Sequence, residues 1–522
     1  MVETLVWLIP VLPLLAALWI AIGYLSGENR GETGERQTNL AAVGAVALSF
    51  LVLLVIDALI VWRGELPGHI QLGTWFGSGR YWIHFSFLLD GLGLVMVHLV
   101  VLLALLTLRF SVNYLHREAG YQRFFLIMSL FTGAMLLIVV AGNALLTFVG
   151  WELAGVSSYL LIAYAFERPS AARNATRAFV TNRVGDAGFL FSILLSLFWI
   201  DSVEWPNILA RIGSIGPLEA GLIAAGFLLA AMAKSAQVPF APWIARALEG
   251  PTPSSAIFYG AVMVHAGVFL VLRLQPLLEQ TPQLMWLGAF VGAVTALYGF
   301  IGGLVQSDIK SALVFSTTAQ VGLMFLACGL GWFELAAWHL VLHAVWRAYQ
   351  FLSAPGLMHM MSRRTRPVPR CLQRQRWLYT AALQGFWLEH LSDSLLVKPT
   401  QALARDAQTF DQQVVNRMVG LPGSIGAVSS LAQWERQKHI HTMQLDGDSG
   451  SVGKGQGAAG KLMEWIASGM HWFEAHLILP SGEQGIQQLI LRLGGVLSKI
   501  DELLSRPRYL LLMLVVTFVV IL

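Results

Sequence analysis

Long apolar stretches alternate with short polar connections over residues 1–362 of the chain. Eleven of these stretches are close to the roughly 20 apolar residues that a helix needs to cross a membrane. They span residues 4–25, 40–62, 88–110, 123–141, 143–165, 178–200, 218–243, 253–275, 283–302, 309–330 and 334–361. Because backbone polar groups find no water in the hydrocarbon core, this pattern predicts an all-α polytopic membrane protein.

The pattern changes after Met361. Residues 363–506 are polar or amphipathic, and residues 446–460 (DGDSGSVGKGQGAAG) have the composition of a flexible linker. Residues 481–505 place apolar side chains at helical spacing, which predicts a helix lying along a membrane or protein surface. Residues 509–522 form an uninterrupted apolar run, and we expect a terminal membrane helix over residues 507–522. The sequence thus predicts a transmembrane domain, a cytoplasmic-side amphipathic segment and a terminal anchor.

Basic residues concentrate in the connections that follow the odd-numbered stretches. The last of these connections carries the cluster Arg363, Arg364, Arg366 and Arg370. Cytoplasmic loops of membrane proteins are enriched in Lys and Arg, so we expect these connections in the cytoplasm and the N-terminus outside. Residues 5–24 lack preceding basic residues and are too long for a signal-peptide core, so we interpret them as a retained helix.

The composition agrees with this class of protein. The chain of 522 residues is 56% hydrophobic and 12% charged, with a formal net charge of +4 and a mean hydropathy of +0.64. An ordinary soluble domain is about 25% charged. This composition excludes a soluble globular enzyme, a disordered protein and a nucleic-acid-binding protein. The cysteines, Cys328 and Cys371, are too far apart for a CxxC metal site, and no catalytic or cofactor motif is present.

Two charged residues fall well inside predicted membrane helices. Glu152 lies within FVGWELAGVSSYLL, and Lys234 lies within LLAAMAKSAQVPF. An ionisable group at the centre of a membrane helix costs at least about 2.5 kcal/mol, so such groups are commonly functional. Placed close together, the two side chains would both stay charged, and their attraction would weaken when one of them gains or loses a proton. A static structural ion pair is the alternative.

Prolines follow the buried lysine. Pro239 and Pro242 each remove a backbone donor and clash with the preceding turn, which predicts a break or kink just after Lys234. Broken helices near the membrane midplane mark transport sites in many carriers. A simple proline kink is the alternative.

The eleventh stretch carries a polar stripe. His339, His343 and Arg347 are spaced at i, i+4 and i+8, so they line one face of the helix. Successive members are about 6 Å apart along the axis, and histidine titrates near neutral pH, so this face is suited to relaying protons. Hydrogen-bonded core residues are the alternative. His265 is a weaker candidate, as is Asp186, which we place near a helix start, capping that helix or paired with Arg183.

Several segments resemble the antiporter-like subunits of respiratory complex I and of Mrp antiporters. These are GWELAGVSSYLLIAY, AFVTNRVGDAGFL, AKSAQVPFAPWIARALEGPTPSSAIFYGAVMVHAGVFLV, SDIKSALVFSTTAQVGLMF and HLVLHAVWRAYQFL, and the similarity extends in order over residues 1–362. The resemblance implies helices in inverted repeats, an interacting pair at Glu152 and Lys234, and central-axis histidines at His339 and His343. Lys310, in the SDIKSAL segment, is a further weak candidate for the ion pathway.

The chain departs from the family pattern at three points. Arg347 stands where the family usually has a lysine, and arginine hardly deprotonates. Tyr259 stands where the family has a histidine. The second broken helix of the family has no counterpart after residue 362, so we expect a truncated second repeat.

These departures favour a shorter relative in the same superfamily, the membrane subunit of DAB-type inorganic carbon accumulators. That resemblance implies a bacterial inner-membrane protein that moves H⁺ or Na⁺ down its gradient. It also implies a large cytoplasmic partner, similar to a β-carbonic anhydrase, which carries zinc and converts CO₂ to bicarbonate. No cofactor is then expected in this chain itself. Two alternatives stay open: a proton-pumping subunit of a complex I or Mrp-type complex, and a non-conducting membrane anchor for a partner.

Overall fold

The computed structural model describes residues 2–27, 31–79, 81–360 and 374–410. The predicted 446–460 linker, the 481–505 surface helix and the 507–522 anchor lie outside the described residues. The described residues up to Val397 belong to one unit, and Lys398 begins a second.

The first half of the helix bundle contains one β-hairpin. Its elements, in chain order, are α1 (Val2–Leu5), α2 (Leu8–Ser26), α3 (Gly31–Arg63), β1 (Gly68–Ser78), β2 (Tyr81–Leu89), α4 (Gly91–Tyr114), α5 (Tyr121–Val140), α6 (Ala144–Ile162), α7 (Pro169–Ile200) and α8 (Trp205–Arg211). Strands β1 and β2 pair antiparallel, and Asp90 caps α4 by accepting a hydrogen bond from the backbone of Gly93.

The second half contains more broken helices. Its elements are α9 (Pro217–Lys234), α10 (Pro242–Ala245), α11 (Thr252–Ser255), a π-helix (Ala256–Ala261), a 3₁₀ turn (Met263–His265), α12 (Ala266–Arg273), α13 (Gln275–Glu279), α14 (Pro282–Gly303), α15 (Ile309–Gly329) and α16 (Phe333–Met360). The chain continues with α17 (Arg376–Leu383), α18 (Leu388–Ser392), a π-helix (Asp393–Val397) and α19 (Lys398–Phe410).

The predicted all-α membrane architecture is confirmed. Ten helical segments of the described residues are long and apolar enough to cross a membrane, and they match ten of the eleven predicted spans. The eleventh prediction corresponds to α16, a continuous 28-residue helix that carries the polar stripe. Close helix packing uses small residues: a Cβ on Gly299 of α14 would lie 2.5 Å from the backbone nitrogen of Ala319 in α15.

The structure differs from the sequence-based prediction at three places. Residues 253–275 are predicted as one regular helix, but the structure divides them into α11, a π-helix, a 3₁₀ turn and α12. The hairpin of β1 and β2 is not predicted, because its residues show neither a long apolar run nor a clean alternation. Helix α7 begins at Pro169 rather than residue 178, so Asp186 lies in its interior.

The connections after the even-numbered spans lie at one end of the bundle, and those after the odd-numbered spans lie at the other end. His69, His84, Asn143 and Glu204, from the connections after the second, fourth and sixth spans, meet at one end. At the other end, Arg123 donates to the carbonyl oxygen of Tyr164, Arg168 pairs with Glu249 and Arg177 pairs with Asp393. This grouping agrees with the predicted order of spans, whereas the outside location of the N-terminus stays a prediction.

Candidate functional site

Lys234 is the last residue of helix α9, and a left-handed cap follows it. Ala236 has φ +50°, and the amide of Gln237 donates to the carbonyl oxygen of Met232 over 2.8 Å. The amide of Ala236 donates to Ala233 over 3.2 Å, which completes a Schellman motif. The predicted break after Lys234 is therefore present. The cap ends the helix before Pro239 is reached, and Pro242 begins the short helix α10.

A buried group of charges surrounds this helix end. We call it the first cluster, and it consists of Trp151, Glu152, Arg183, Asp186 and Lys234. Arg183 of α7 forms an ion pair with Glu152 of α6, and its Nη2 also lies 2.7 Å from Asp186 Oδ2. Trp151 Nε1 donates to Asp186 Oδ1 over 2.9 Å. One guanidinium is thus shared between two buried carboxylates.

Lys234 contacts a backbone carbonyl and an aromatic ring. Its Nζ donates to the carbonyl oxygen of Trp151 over 3.0 Å and lies 4.9 Å from the centre of the Trp151 ring. Among the described residues, no carboxylate lies within ion-pair distance of Lys234, and Glu152 pairs with Arg183 instead. The direct ion-pair partner of Glu152 is therefore Arg183, which α7 inserts as the closer group, and an interacting pair of Glu152 and Lys234 stays a prediction.

The interior position of Asp186 in α7 corrects its expected place near a helix start. Asp186 is 5% exposed and does not cap a helix, although its predicted pairing with Arg183 is present. Beside Arg183 lies a cavity of about 10 Å³ lined in part by Ser158 and Asn182, which is about the volume that one water needs.

A second polar group lies where α16 meets the broken eighth span. We call it the second cluster: His265, Ser316, His343 and Arg347. His265 Nε2 lies 3.0 Å from His343 Nδ1, and Arg347 Nη2 donates to Ser316 Oγ over 2.9 Å. Arg347 Nη2 also approaches His343 Nε2 at 3.3 Å. Within the described part of the chain, no carboxylate pairs with Arg347.

Hydrogen-bond directions in the second cluster follow from Arg347. A guanidinium only donates, so His343 Nε2 accepts, and His343 then carries its hydrogen on Nδ1. That hydrogen points to His265 Nε2, which leaves His265 with its hydrogen on Nδ1. Within the predicted stripe, His343 and Arg347 are therefore in direct contact. The ring centre of His339 lies 6.0 Å from that of His343, and His339 Nε2 bonds to Gln320 Oε1 of α15 at 2.8 Å.

Of the weaker candidate residues, Tyr259 lies near the first cluster and Lys310 does not. Tyr259 lies in the π-helix, is 1% exposed, and its ring centre is 6.1 Å from that of Trp243. Trp243 Nε1 donates to the carbonyl oxygen of Ala233, next to Lys234, over 3.0 Å. Tyr259 thus lies beside the broken end of α9. Lys310, in the first turn of α15, joins neither cluster.

Sequence reasoning left several contributing residues out of its candidates. Arg183 received attention only as a partner of Asp186, and Trp151, Ser316 and Gln320 received none. An Arg three residues before an Asp within one predicted membrane helix is a signal that points to such a network. No group of three or more His, Cys, Asp or Glu in the described residues is arranged to hold a metal ion. That this chain needs no cofactor of its own stays a prediction.

These features define a polytopic α-helical membrane protein whose helices enclose two clusters of ionisable groups next to a broken helix. Residues 141–382 match the family described as NADH:quinone oxidoreductase/Mrp antiporter, TM. Residues 75–125 match the family described as NADH-ubiquinone oxidoreductase (complex I), chain 5 N-terminus. The chain belongs to the superfamily of antiporter-like membrane subunits.

Curated relatives carry the name NAD(P)H-quinone oxidoreductase subunit 5. The chloroplast protein of Nephroselmis olivacea is 40% identical over 366 residues, which cover 68% of this chain and 56% of that protein. The chloroplast protein of Piper cenocladum is 38% identical over 362 residues, which cover 68% of this chain and 48% of that protein. The chain thus spans about half the length of these relatives.

A solved structure shares the fold. A chain of the Mrp complex from Dietzia sp. superposes with a TM-score of 0.59 at 24% identity, over 70% of this chain and 38% of that chain. At this identity the similarity concerns the fold alone.

Proposed function

We propose that this chain is the cation-translocating, antiporter-like subunit of a multisubunit membrane complex, carrying H⁺ or Na⁺. The observation that supports this most is the first cluster, in which Arg183 is shared by two buried carboxylates and Lys234 follows as the last residue of a broken helix. A purely structural bundle gains little from three buried charges and a partly buried arginine, because each charge is costly in a membrane.

The first cluster is suited to changing its arrangement when Lys234 gains or loses a proton. Its two carboxylates, one guanidinium and one ammonium sum to zero net charge when all are ionised. Lys234 binds a neutral carbonyl and an aromatic face, so it can lose its proton without breaking a direct ion pair. Loss of that proton leaves two carboxylates and one guanidinium, so Arg183 is drawn more strongly to the carboxylates. Charge movement at Lys234 is thereby coupled to the position of Arg183.

The second cluster continues from the broken end of α9. Ser235 follows Lys234 and donates to the carbonyl oxygen of Val264 over 2.6 Å, and His265 comes next in the chain. In the proposed mechanism, Arg347 supplies a fixed positive charge that sets the energy of a cation near His343 and His265. The guanidinium does not itself pass a proton on.

A flux assay on the purified complex tests this proposal. The complex is reconstituted into vesicles, and H⁺ and Na⁺ movements are followed separately after an imposed gradient. Lys234→Met is expected to lower the flux at least tenfold with unchanged assembly. Lys398→Met, on an exposed lysine of α19, is the matched control and should behave like the parent. Parent flux in Lys234→Met would remove Lys234 from the mechanism. Absence of any cation flux in the parent complex would favour a non-conducting membrane anchor.

A second candidate function is energising inorganic carbon uptake with a zinc-containing partner similar to a β-carbonic anhydrase. Two observations favour it: Arg347 in place of the lysine that the family resemblance implies, and the long polar segment 363–506 after the last span. Purification of the tagged chain, with mass spectrometry and zinc analysis of its partners, separates the candidates. One large zinc protein supports carbon uptake, whereas a series of quinone-reductase or antiporter subunits supports a complex I or Mrp-type assembly.

A further inference from the structure

A further buried carboxylate, separate from the two in the first cluster, lies at the hairpin end of the bundle. Glu204 precedes α8 and is 3% exposed. Its Oε2 accepts hydrogen bonds from Ser86 Oγ of β2 and from His69 Nε2 of β1, the latter over 2.9 Å. Its Oε1 lies 3.5 Å from Asn143 Nδ2. We call His69, His84, Ser86, Asn143 and Glu204 the hairpin cluster.

The ionisable neighbours of this carboxylate are histidines. His69 and His84 are the charged or titratable groups within 4.0 Å of Glu204 among the described residues, and both are partly exposed. His84 Nδ1 lies 3.7 Å from Glu204 Oε1 and has no hydrogen-bond partner in the described part of the chain. A buried carboxylate normally pairs with Arg or Lys, whereas this one faces groups that gain a charge only on binding a proton.

The geometry defines how a proton is taken up. Neutral His69 donates its Nε2 hydrogen to Glu204, so Nδ1 is the free base. A proton from water forms an N–H bond at Nδ1, and the imidazolium–carboxylate pair changes from a net charge of −1 to 0. Protonation of His84 instead gives a donor aimed at Glu204 Oε1. The geometry thus allows the cluster to take up one proton from the aqueous phase.

Asn143 links the hairpin cluster to the first cluster. It is the N-cap of α6, where its Oδ1 accepts from the amide of Leu146 over 2.7 Å. Its Nδ2 donates to Ser86 Oγ over 2.9 Å. Glu152 lies nine residues further along α6, about 13 Å away along the axis. The hairpin cluster is therefore attached to the start of the helix that carries Glu152.

We infer that Glu204, flanked by His69 and His84, is a proton-loading site at the hairpin mouth of the bundle. This inference rests on the proposed cation translocation and adds a group at which a proton enters or leaves.

The test measures proton flux against the pH on the hairpin side. The complex is reconstituted into vesicles, and the hairpin side is identified by labelling Ser78→Cys with an impermeant maleimide in a Cys371→Ser background. Glu204→Gln is expected to lower the flux at least tenfold and to remove its dependence on pH between about pH 5 and 8. His69→Gln is expected to shift the midpoint of the profile by at least one pH unit. Asp57→Asn is the matched control, because Asp57 pairs with His98 at 2.8 Å elsewhere.

The outcomes separate this inference from the proposed function. A parent complex that moves no cation contradicts the proposed function itself. A parent complex that moves protons, with Glu204→Gln unchanged in rate and pH profile, shows that Glu204 only holds the hairpin and overturns the inference. If Glu204→Gln fails to assemble, the double variant His69→Gln/His84→Gln is tested in its place, since both residues are partly exposed. A pH profile of proton flux that is unshifted in this double variant contradicts proton loading.

Discussion

The hydroxyl of Ser235 donates a hydrogen bond to the carbonyl oxygen of Val264 across 2.6 Å. Ser235 follows Lys234, and Val264 precedes His265, so one hydrogen bond joins the backbone of the first cluster to that of the second. The packing there is tight: a Cβ on Gly267 would lie 2.3 Å from Ser235 Oγ. Movement of the α9 end is therefore transmitted to the turn that positions His265.

We expect Ser235→Ala to weaken coupling between the clusters. A buried hydrogen bond contributes about 1 kcal/mol to stability, so the protein should fold but lose at least half of its cation flux. Ser192→Ala is the matched control, because Ser192 Oγ donates to the carbonyl oxygen of Ile223 in α9 over 2.7 Å, distant in sequence from Lys234. Thermal stability and vesicle flux are measured for both. Equal flux losses in the two variants would mean that the Ser235 bond serves packing alone.

Gly155 of α6 leaves room for both basic groups of the first cluster. A Cβ at this position would lie 3.3 Å from Lys234 Nζ and 3.4 Å from Arg183 Nη2. We expect Gly155→Ala to displace these groups and lower the flux about tenfold, with little change in melting temperature. Gly221→Ala in α9, where a Cβ meets nothing within 4 Å, should keep parent flux and add slight helix stability. Parent-like flux in Gly155→Ala would show that neither basic group needs this space.

The spans were predictable because long apolar runs report the membrane thickness directly. The contact of His343 with Arg347 was also predictable, since an i, i+4 spacing fixes neighbours on a helix. The partner of Glu152 was not. Arg183 is 31 residues away in sequence, and only the rotation and depth of α7 against α6 decide whether Arg183 or Lys234 reaches the carboxylate.

Two local features of the fold also lack a sequence signal. The cap of α9 places Ala236 at a left-handed position where glycine is usual, so no glycine marks the helix end. Residues 252–273 are mostly apolar and fully buried over the span, so their hydropathy does not distinguish a π-helix from an α-helix. The hairpin cluster combines three separate connections, which no single segment reveals.

Arg347 provides a test of fixed charge against proton relay. Arginine stays protonated, so we expect Arg347→Lys, which keeps a positive charge, to retain flux within about twofold of the parent. Arg347→Gln removes the charge and should lower the flux at least tenfold. The flux is measured over a range of pH for both variants. Full activity in Arg347→Gln would contradict the fixed-charge role. A large loss in Arg347→Lys would show that the bond to Ser316, rather than charge, is required.

The segment 376–397 is attached to the bundle by a network of ion pairs. Arg177 of α7 binds Asp393 through Nε at 2.7 Å and Nη2 at 2.8 Å, and its Nη1 lies 2.9 Å from Glu389. Glu389 also pairs with Arg246, close after the broken helix, at 2.9 Å. Bidentate and networked pairs hold geometry better than isolated surface pairs. We expect Asp393→Asn to release the segment, so that limited proteolysis within residues 376–397 becomes at least fivefold faster.

The pair of Arg168 and Glu249, with atoms 3.7 Å apart and the arginine side chain 59% exposed, supplies the control for this release. Glu249→Gln should leave the cleavage rate unchanged, because a solvent-screened pair contributes little. Reversing the pair with Arg177→Asp and Asp393→Arg together should restore part of the protection, whereas either reversal alone should not. Cleavage of Asp393→Asn at the parent rate would show that apolar contacts, such as that of Phe386 with Tyr298 at 5.9 Å between ring centres, hold the segment instead.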